Sequence, residues 1–316
     1  MRVLVLGGCG FLGRHVVAAL ASRGHTVVVG SRRAARQGDG LPVREAWFEK
    51  LAAIASWQPL VADVDAVVNC VGILRERGAA TYEAVHHAAP AALAAACAAK
   101  EVRLIHVSAL GLAADARSGF IVSKRRGEAA IRASSADYSI VRPSLLDGDG
   151  GFGARWVRLA AQWPVHFVPR DATGRIAALD VADAAAAIAR LVELPGSAHR
   201  EVELGGVDWR DFQAHLAAMR RHQRKAWVVE VPPLLARIAS HACDVLHLSP
   251  FSFGHLELLR RDNVPLPNLL PRLLGRAPRR IGPVSAGRAP AFARGRASLA
   301  PSAGRDDGST PIAPRP

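Results

Sequence analysis

The stretch RVLVLGGCGFLGRHVVAAL, residues 2–20, decides the fold. Its opening, RVLVLG (2–7), is the near-continuous apolar run of a parallel strand covered on both faces. Gly7, Gly10 and Gly13 follow as G-x-x-G-x-x-G, and helical spacing begins at once behind them. Glycines permit a tight turn and let backbone N–H groups approach an anion, which the partial positive charge of a helix N-terminus then favours. With a strand before it and a helix after it, such a turn suits the pyrophosphate of a dinucleotide.

The same alternation runs on through the N-terminal half. HTVVVG (25–30), DAVVNCVG (65–72), VRLIHVS (102–108) and DYSIVRPS (137–144) read as further strands. Helices are expected at 11–23, 45–57, 81–99 and 118–134, with only a short third strand near 41–48. This order predicts an α/β fold, a doubly wound parallel Rossmann-type sheet with right-handed crossovers. Beyond 150 the expected order is helix 152–162, strand 165–168, helix 180–194, strand 200–204, helix 208–221, strand 227–231 and helix 234–247. The domain reading is therefore a cofactor-binding core over 1–150 and a smaller C-terminal substrate lobe over 151–277. A tail over 278–316, rich in Pro, Arg and Ala, is expected to be disordered.

Composition narrows the function classes. Four scattered cysteines, Cys9, Cys70, Cys97 and Cys243, form no C-x-x-C pair, so neither a zinc site nor a disulfide framework is expected. No secretory lead and no apolar run of spanning length is visible, which predicts a cytoplasmic protein without a transmembrane segment. Of the net charge of +14, a surplus of seven lies past Leu270, nine arginines against Asp306 and Asp307. That charge belongs to a tail rather than to a groove. The tail lacks interleaved aromatics, so nucleic acid is not an expected partner.

The second strand ends in Ser31-Arg32-Arg33, with no Asp or Glu between Gly24 and Gln37. A carboxylate there would hold the ribose 2′-hydroxyl of NAD, whereas arginine suits a 2′-phosphate, so NADP(H) is favoured over NAD(H). The candidate cofactor residues from the turn and this strand end are Gly7, Gly10, Phe11, Leu12, Gly13, Ser31 and Arg32.

The turn GGCGFLG (7–13), together with NCVG (69–72), VSALG (107–111), Ser123-Lys124 and VRPS (141–144), resembles the extended short-chain dehydrogenase/reductase superfamily. NCVGIL (69–74) and VHHAAP (85–90) are similar to its atypical branch, which includes an accessory subunit of respiratory complex I and bacterial relatives of the sugar-nucleotide epimerases. The resemblance covers residues 1–205 and continues faintly through FSFG (251–254). It implies further cofactor contacts at Val71, Gly72, Ser108, Lys124 and Pro143, and a substrate cleft between the sheet edge and the second lobe.

In active members of that superfamily a Tyr-x-x-x-Lys pair does the chemistry. Here the lysine is Lys124, and four residues earlier stands Phe120, which has no proton to give. Ser108 lies early in its strand end, with Leu110 nearer the place of the usual serine, and His86 takes the place often held by asparagine. Lys124 and His86 are therefore the catalytic candidates, and no metal ligand set is expected. Asp180 and Asp183 read as structural, with Asp180 a helix N-cap, and Asp147-Gly-Asp149 as a loop beside the cleft. Two function readings follow. One is an NAD(P)-dependent oxidoreductase or epimerase acting on an unidentified small molecule. The other is a cofactor-bound assembly or sensor protein with a protein partner.

Overall fold

The computed structural model describes residues 1–32, 40–221, 225–246 and 251–283. β1 (Arg2–Leu6) leads through the glycine turn into α1 (Phe11–Ser22), and β2 (Thr26–Ser31) returns beside it. β3 (Val43–Glu45), α2 (Ile54–Val61) and β4 (Ala66–Asn69) follow. A π turn, Glu83–Ala88, then runs into α3 (Ala89–Ala99), and β5 (Arg103–Val107), α4 (Gly119–Ala133) and β6 (Tyr138–Pro143) complete the first half. The second half holds β7 (Leu146–Asp147), α5 (Phe152–Ala161), β8 (Val165–Pro169), β9 (Leu179–Asp180), α6 (Val181–Val192) and β10 (Glu201–Leu204). After these come α7 (Phe212–Met219), β11 (Trp227–Val231), α8 (Pro233–Leu246), α9 (Phe253–Leu259) and α10 (Leu270–Leu274).

Seven strands form one parallel sheet in the order β10-β6-β5-β4-β1-β2-β3, the doubly wound arrangement the alternation predicts. The sheet is covered on both faces. Val3, Val5, Val16, Leu20, Ile105 and Ile188 pack on the α1/α6 side, and Leu4, Leu6, Trp57, Leu93, Leu104 and Ile131 on the other. Because the chain order reverses between β1 and β4, the carboxyl ends of these strands open a crevice where such sheets bind ligands.

Two expectations change. The segment 45–57 is not one helix: β3 ends at Glu45, a single turn covers Phe48–Lys50, and α2 begins at Ile54. Burial of Phe48 edge-on against Trp57, at 5.3 Å between ring centroids, turns the chain back on itself. The Trp57 indole N–H donates to the Leu51 carbonyl at 2.8 Å and fixes that fold-back. The start of the expected tail is also tied down. The Arg279 backbone N–H donates to Asp183 at 2.6 Å, the Arg276 guanidinium pairs with the same buried carboxylate at 2.5 Å, and Ile281 packs beside Met219. Residues 284–316 of that tail lie outside the described residues. Asp180 caps α6, accepting from Ala182 and Asp183 N–H groups at 2.9 and 3.2 Å. Among the described residues no helix is long and apolar enough to cross a membrane.

Candidate active site

β1 ends at Leu6, and Gly7 takes φ +73°, a left-handed conformation that only glycine adopts without strain. Its N–H donates to the Gly30 carbonyl at 2.8 Å, which ties the turn to the end of β2. Gly13 meets the turn from the helix side: a Cβ there would lie 2.1 Å from the Gly7 carbonyl oxygen. Gly10 brings no side-chain oxygen to the helix start, so the N–H groups of Phe11, Leu12 and Gly13 have no capping side chain and no intrahelical acceptor. Three converging donors at a positive helix end suit a pyrophosphate.

The loop after β7 lies over this turn. A Cβ on Gly151 would come within 2.7 Å of the Phe11 ring, and the Arg14 guanidinium donates to the Asp149 carbonyl. Asp147 is engaged by Arg158 at 2.9 and 2.7 Å, so the loop's buried carboxylate holds α5. On the other side, Ser31 closes β2, and Arg32 is exposed with no ion pair among the described residues. Arg33 lies outside the described residues.

The end of β4 is built from buried polar groups. Asn69 bridges to His106 Nδ1 at 3.1 Å and accepts from the Val71 N–H at 3.0 Å. Val71 is thereby laid against Gly7, whose Cβ would stand 3.1 Å from its methyl. One step further the Ile73 N–H donates to His86 Nε2 at 3.1 Å. That contact fixes the neutral tautomer with the proton on Nδ1, which faces Ser123 Oγ at 3.0 Å. Ser123 in turn donates to the Phe120 carbonyl at 3.1 Å. Burial, and then the nearby Lys124 charge, push the His86 pKa down to about 2. Both ring nitrogens are thus engaged within the protein.

α4 supplies Phe120 and Lys124 on one face, one turn apart. Gly127 lets α4 approach the π turn, since a Cβ there would overlap the His86 carbonyl. Lys124 is only 9% exposed, and its ammonium finds no hydrogen-bond acceptor among the described residues. Its Nζ stands 5.6 Å from the Phe120 ring centroid and 3.8 Å from where a Gly72 Cβ would be. Glu128, one turn on, is taken up by Arg142 at 2.6 Å and Arg132 at 2.8 Å. Burial lowers the Lys124 pKa to about 8, against the opposing pull of Glu128. A buried cation without an acceptor, beside a glycine at the sheet's carboxyl edge, fits the hydroxyls of a nucleotide ribose. Ser108 is buried nearby, beside the Glu128 carboxylate. Pro143 is buried, and its carbonyl accepts from the Leu110 N–H at 3.0 Å.

Helix α9 closes over Phe120 in a way the sequence did not announce. A Cβ on Gly254 of α9 would stand 3.1 Å from the Phe120 Cβ, and the His255 ring stacks on the Phe120 ring at 6.1 Å and 25°. Tyr82 meets Phe120 edge-on at 6.1 Å and stacks on His86 at 5.5 Å. Its hydroxyl donates to the Leu74 carbonyl at 2.8 Å, and burial raises the phenol pKa to about 12. The cover is fastened at both ends. Glu257 accepts from the Arg117 and Ser118 N–H groups at 2.9 and 2.8 Å, and Asp244 joins Arg75 at 3.1 Å to the Phe253 N–H at 2.9 Å. Ser252 caps α9, accepting from the His255 N–H at 3.2 Å.

A doubly wound sheet, an uncapped glycine turn and a buried lysine at its carboxyl edge make a Rossmann-type dinucleotide-binding fold. Residues 7–190 match the NAD(P)H-binding family, and the chain belongs to that family. It is 31% identical over 202 residues to the ceramide reductase of Caulobacter vibrioides, a match covering 61% of each chain. It is 30% identical over 224 residues to mitochondrial NADH dehydrogenase [ubiquinone] 1 alpha subcomplex subunit 9 of Dictyostelium discoideum, covering 66% of this chain and 61% of that one. The matches thus span about three fifths of both relatives. In fold it is similar to the UDP-glucose 4-epimerase of Thermus thermophilus in complex with NAD, with TM-score 0.57, 19% identity and coverage of 74% and 87%. Pal from Bacillus thuringiensis is similar at TM-score 0.63, with 15% identity and coverage of 89% and 95%.

Proposed function

We propose that this chain is an NADP(H)-dependent carbonyl reductase in which Lys124, in place of a tyrosine, supplies the proton. The observation that carries the reading is the largely buried Lys124 side chain, whose ammonium makes no hydrogen bond to a described residue and whose pKa is brought down to about 8. A general acid works best when its pKa lies near the working pH, and burial is the usual means of bringing a lysine there. The bound cofactor supplies the hydride. The glycine turn with Phe11 and Leu12 holds its pyrophosphate, Ser31 and Arg32 its adenosine ribose and 2′-phosphate, and Val71, Gly72, Ser108 and Pro143 line its nicotinamide half. Lys124 gives one proton to the carbonyl oxygen, which leaves as an alcohol, and the amine is reprotonated from solvent.

On this reading His86 is a positioning residue: with both nitrogens engaged it holds the 71–73 loop against α4. The Caulobacter relative makes a long-chain carbonyl compound the substrate class to try first. NADPH oxidation by the purified chain, followed across pH with long-chain keto compounds, tests the proposal. Turnover should fall as pH rises through about 8, and Lys124→Met should abolish it while the protein stays folded. If NADPH binds but is never oxidised with any such carbonyl, the reductase reading fails.

One observation favours a second reading. α9 seals Phe120 with Gly254 and His255, which suits a cofactor-stabilised protein whose partner is another protein. The Dictyostelium relative, a subunit of a larger enzyme by its name, points the same way.

A further inference from the structure

The helix α8 is turned inside out. Leu234, Leu235 and Ile238 lie within about 100° of arc on a helical projection, and they are 68%, 55% and 57% exposed. The residues it turns toward the protein are small or polar: Ala236 is buried against Phe253 and Leu256, and Ser240 is wholly buried. An ordinary surface helix does the reverse and hides its apolar stripe.

The strand ahead of it repeats the pattern. β11 pairs only with β8, in a register that sets Trp227 beside Val165 and Val229 beside Phe167. Residues two apart share a face, so Val165, Phe167, Trp227 and Val229 stand on one side of this two-stranded ribbon. Phe167, Trp227 and Val229 are all exposed there; on the other side His166 and Val168 of β8 are buried, while Val228 and Glu230 of β11 are exposed. Pro232 and Pro233 join ribbon and helix directly. Trp163 is also exposed and adjoins the ribbon, whose Trp227 N–H donates to the Pro164 carbonyl at 2.9 Å.

The charge beside this face that no ion pair neutralises is basic. Arg221 and Lys225, both exposed, precede β11, and the exposed Arg237 lies on α8. The Arg220 guanidinium is tied to the Ala161 and Trp163 backbone carbonyls at 3.0 and 2.6 Å, just ahead of β8. The ribbon's acidic residue, Glu230, is already paired with Arg170 at 3.1 Å.

We propose that α8 and the β8–β11 ribbon form a docking face for an anionic phospholipid bilayer, on which the protein lies without spanning it. Exposed leucine and isoleucine enter the acyl boundary, indoles sit at headgroup level, and arginine and lysine meet lipid phosphates. The face is separate from the cofactor chemistry, and the inference stands whether or not the chain reduces a carbonyl.

Flotation of the full-length protein with phosphatidylcholine vesicles, with and without phosphatidylglycerol, tests it, alongside quenching of tryptophan emission by brominated acyl chains. Wild type should float with the anionic vesicles and be quenched. The double variant Leu235→Asp/Ile238→Asp should lose about tenfold in bound fraction, with its circular dichroism and NADPH binding unchanged. The variant keeps every basic residue of the tail, so equal flotation by wild type and variant would mean attraction by charge alone and overturn the proposal. Absence of quenching overturns it too. So does a wild-type dimer in light scattering that the variant converts to monomer, because the face would then belong to a second copy of the chain.

Discussion

The two sides of the cleft are built on opposite principles. On the cofactor side, backbone does the work: Gly7, Gly10 and Gly13 remove side chains so that N–H groups converge, and Arg32 stands open to solvent. On the reaction side, side chains fill the space, with Tyr82, His86, Phe120 and His255 forming one aromatic stack around a lone ammonium. Binding geometry made of backbone can be retained while the proton-carrying group beside it changes, because the two rest on different residues and different elements.

The sharpest way to break that contrast is at Gly13. A valine there drives Cβ into the Gly7 carbonyl, so the turn must open. Thermal unfolding should register a loss of about 3 kcal/mol, and NADPH binding followed by fluorescence should vanish.

Lys124→Met acts on the other side and should separate binding from stability. Removing a buried cation that has no acceptor should raise stability by about 1 kcal/mol. NADPH affinity should fall about tenfold with the loss of a charged hydrogen bond to ribose. The pH dependence gives the sign. Lys124 titrates near 8 in the folded chain, below its ordinary 10.5. Between those values the unfolded chain holds a proton that the folded chain has shed, so the penalty is complete below pH 8 and is relieved as pH rises toward 10.5. Denaturation series from pH 7 to about 10 should show that gain in wild type and not in the variant.

Phe120→Tyr returns a phenol to the position four residues before Lys124. It should leave NADPH affinity unchanged and raise carbonyl reduction about tenfold. No gain in NADPH oxidation would strengthen the partner-binding reading. The smallest effect is expected at the far end of the cofactor: Arg32→Ala should weaken NADPH by about fivefold and leave NADH as it was. Equal losses for both cofactors in parallel titrations would remove the 2′-phosphate argument.

Much of the cofactor side was legible because its signals are local. Residues 2–7 and 11–23 lie within a few positions of one another, and the strand, the turn and the helix each announce themselves by spacing. All five strands read from the first half are present within one to three residues of their expected ends. The failures share a cause of the opposite kind. Segment 45–57 has a helical pattern, but burial of Phe48 against Trp57 overrides it. Residues 278–281 look like tail, yet Asp183, nearly a hundred positions away, holds the Arg279 N–H. Phe120 could be named as a missing tyrosine from its distance to Lys124. That Gly254 and His255 would cover it could not, since no local pattern connects α4 with α9.

Phenylalanine and tyrosine codons differ by a single base, so the ring at position 120 stands one mutational step from carrying a hydroxyl. A laboratory selection for faster carbonyl reduction should therefore reach Phe120→Tyr in its first round. Substitutions at Gly254 and His255, which set the room above that ring, should appear only after it.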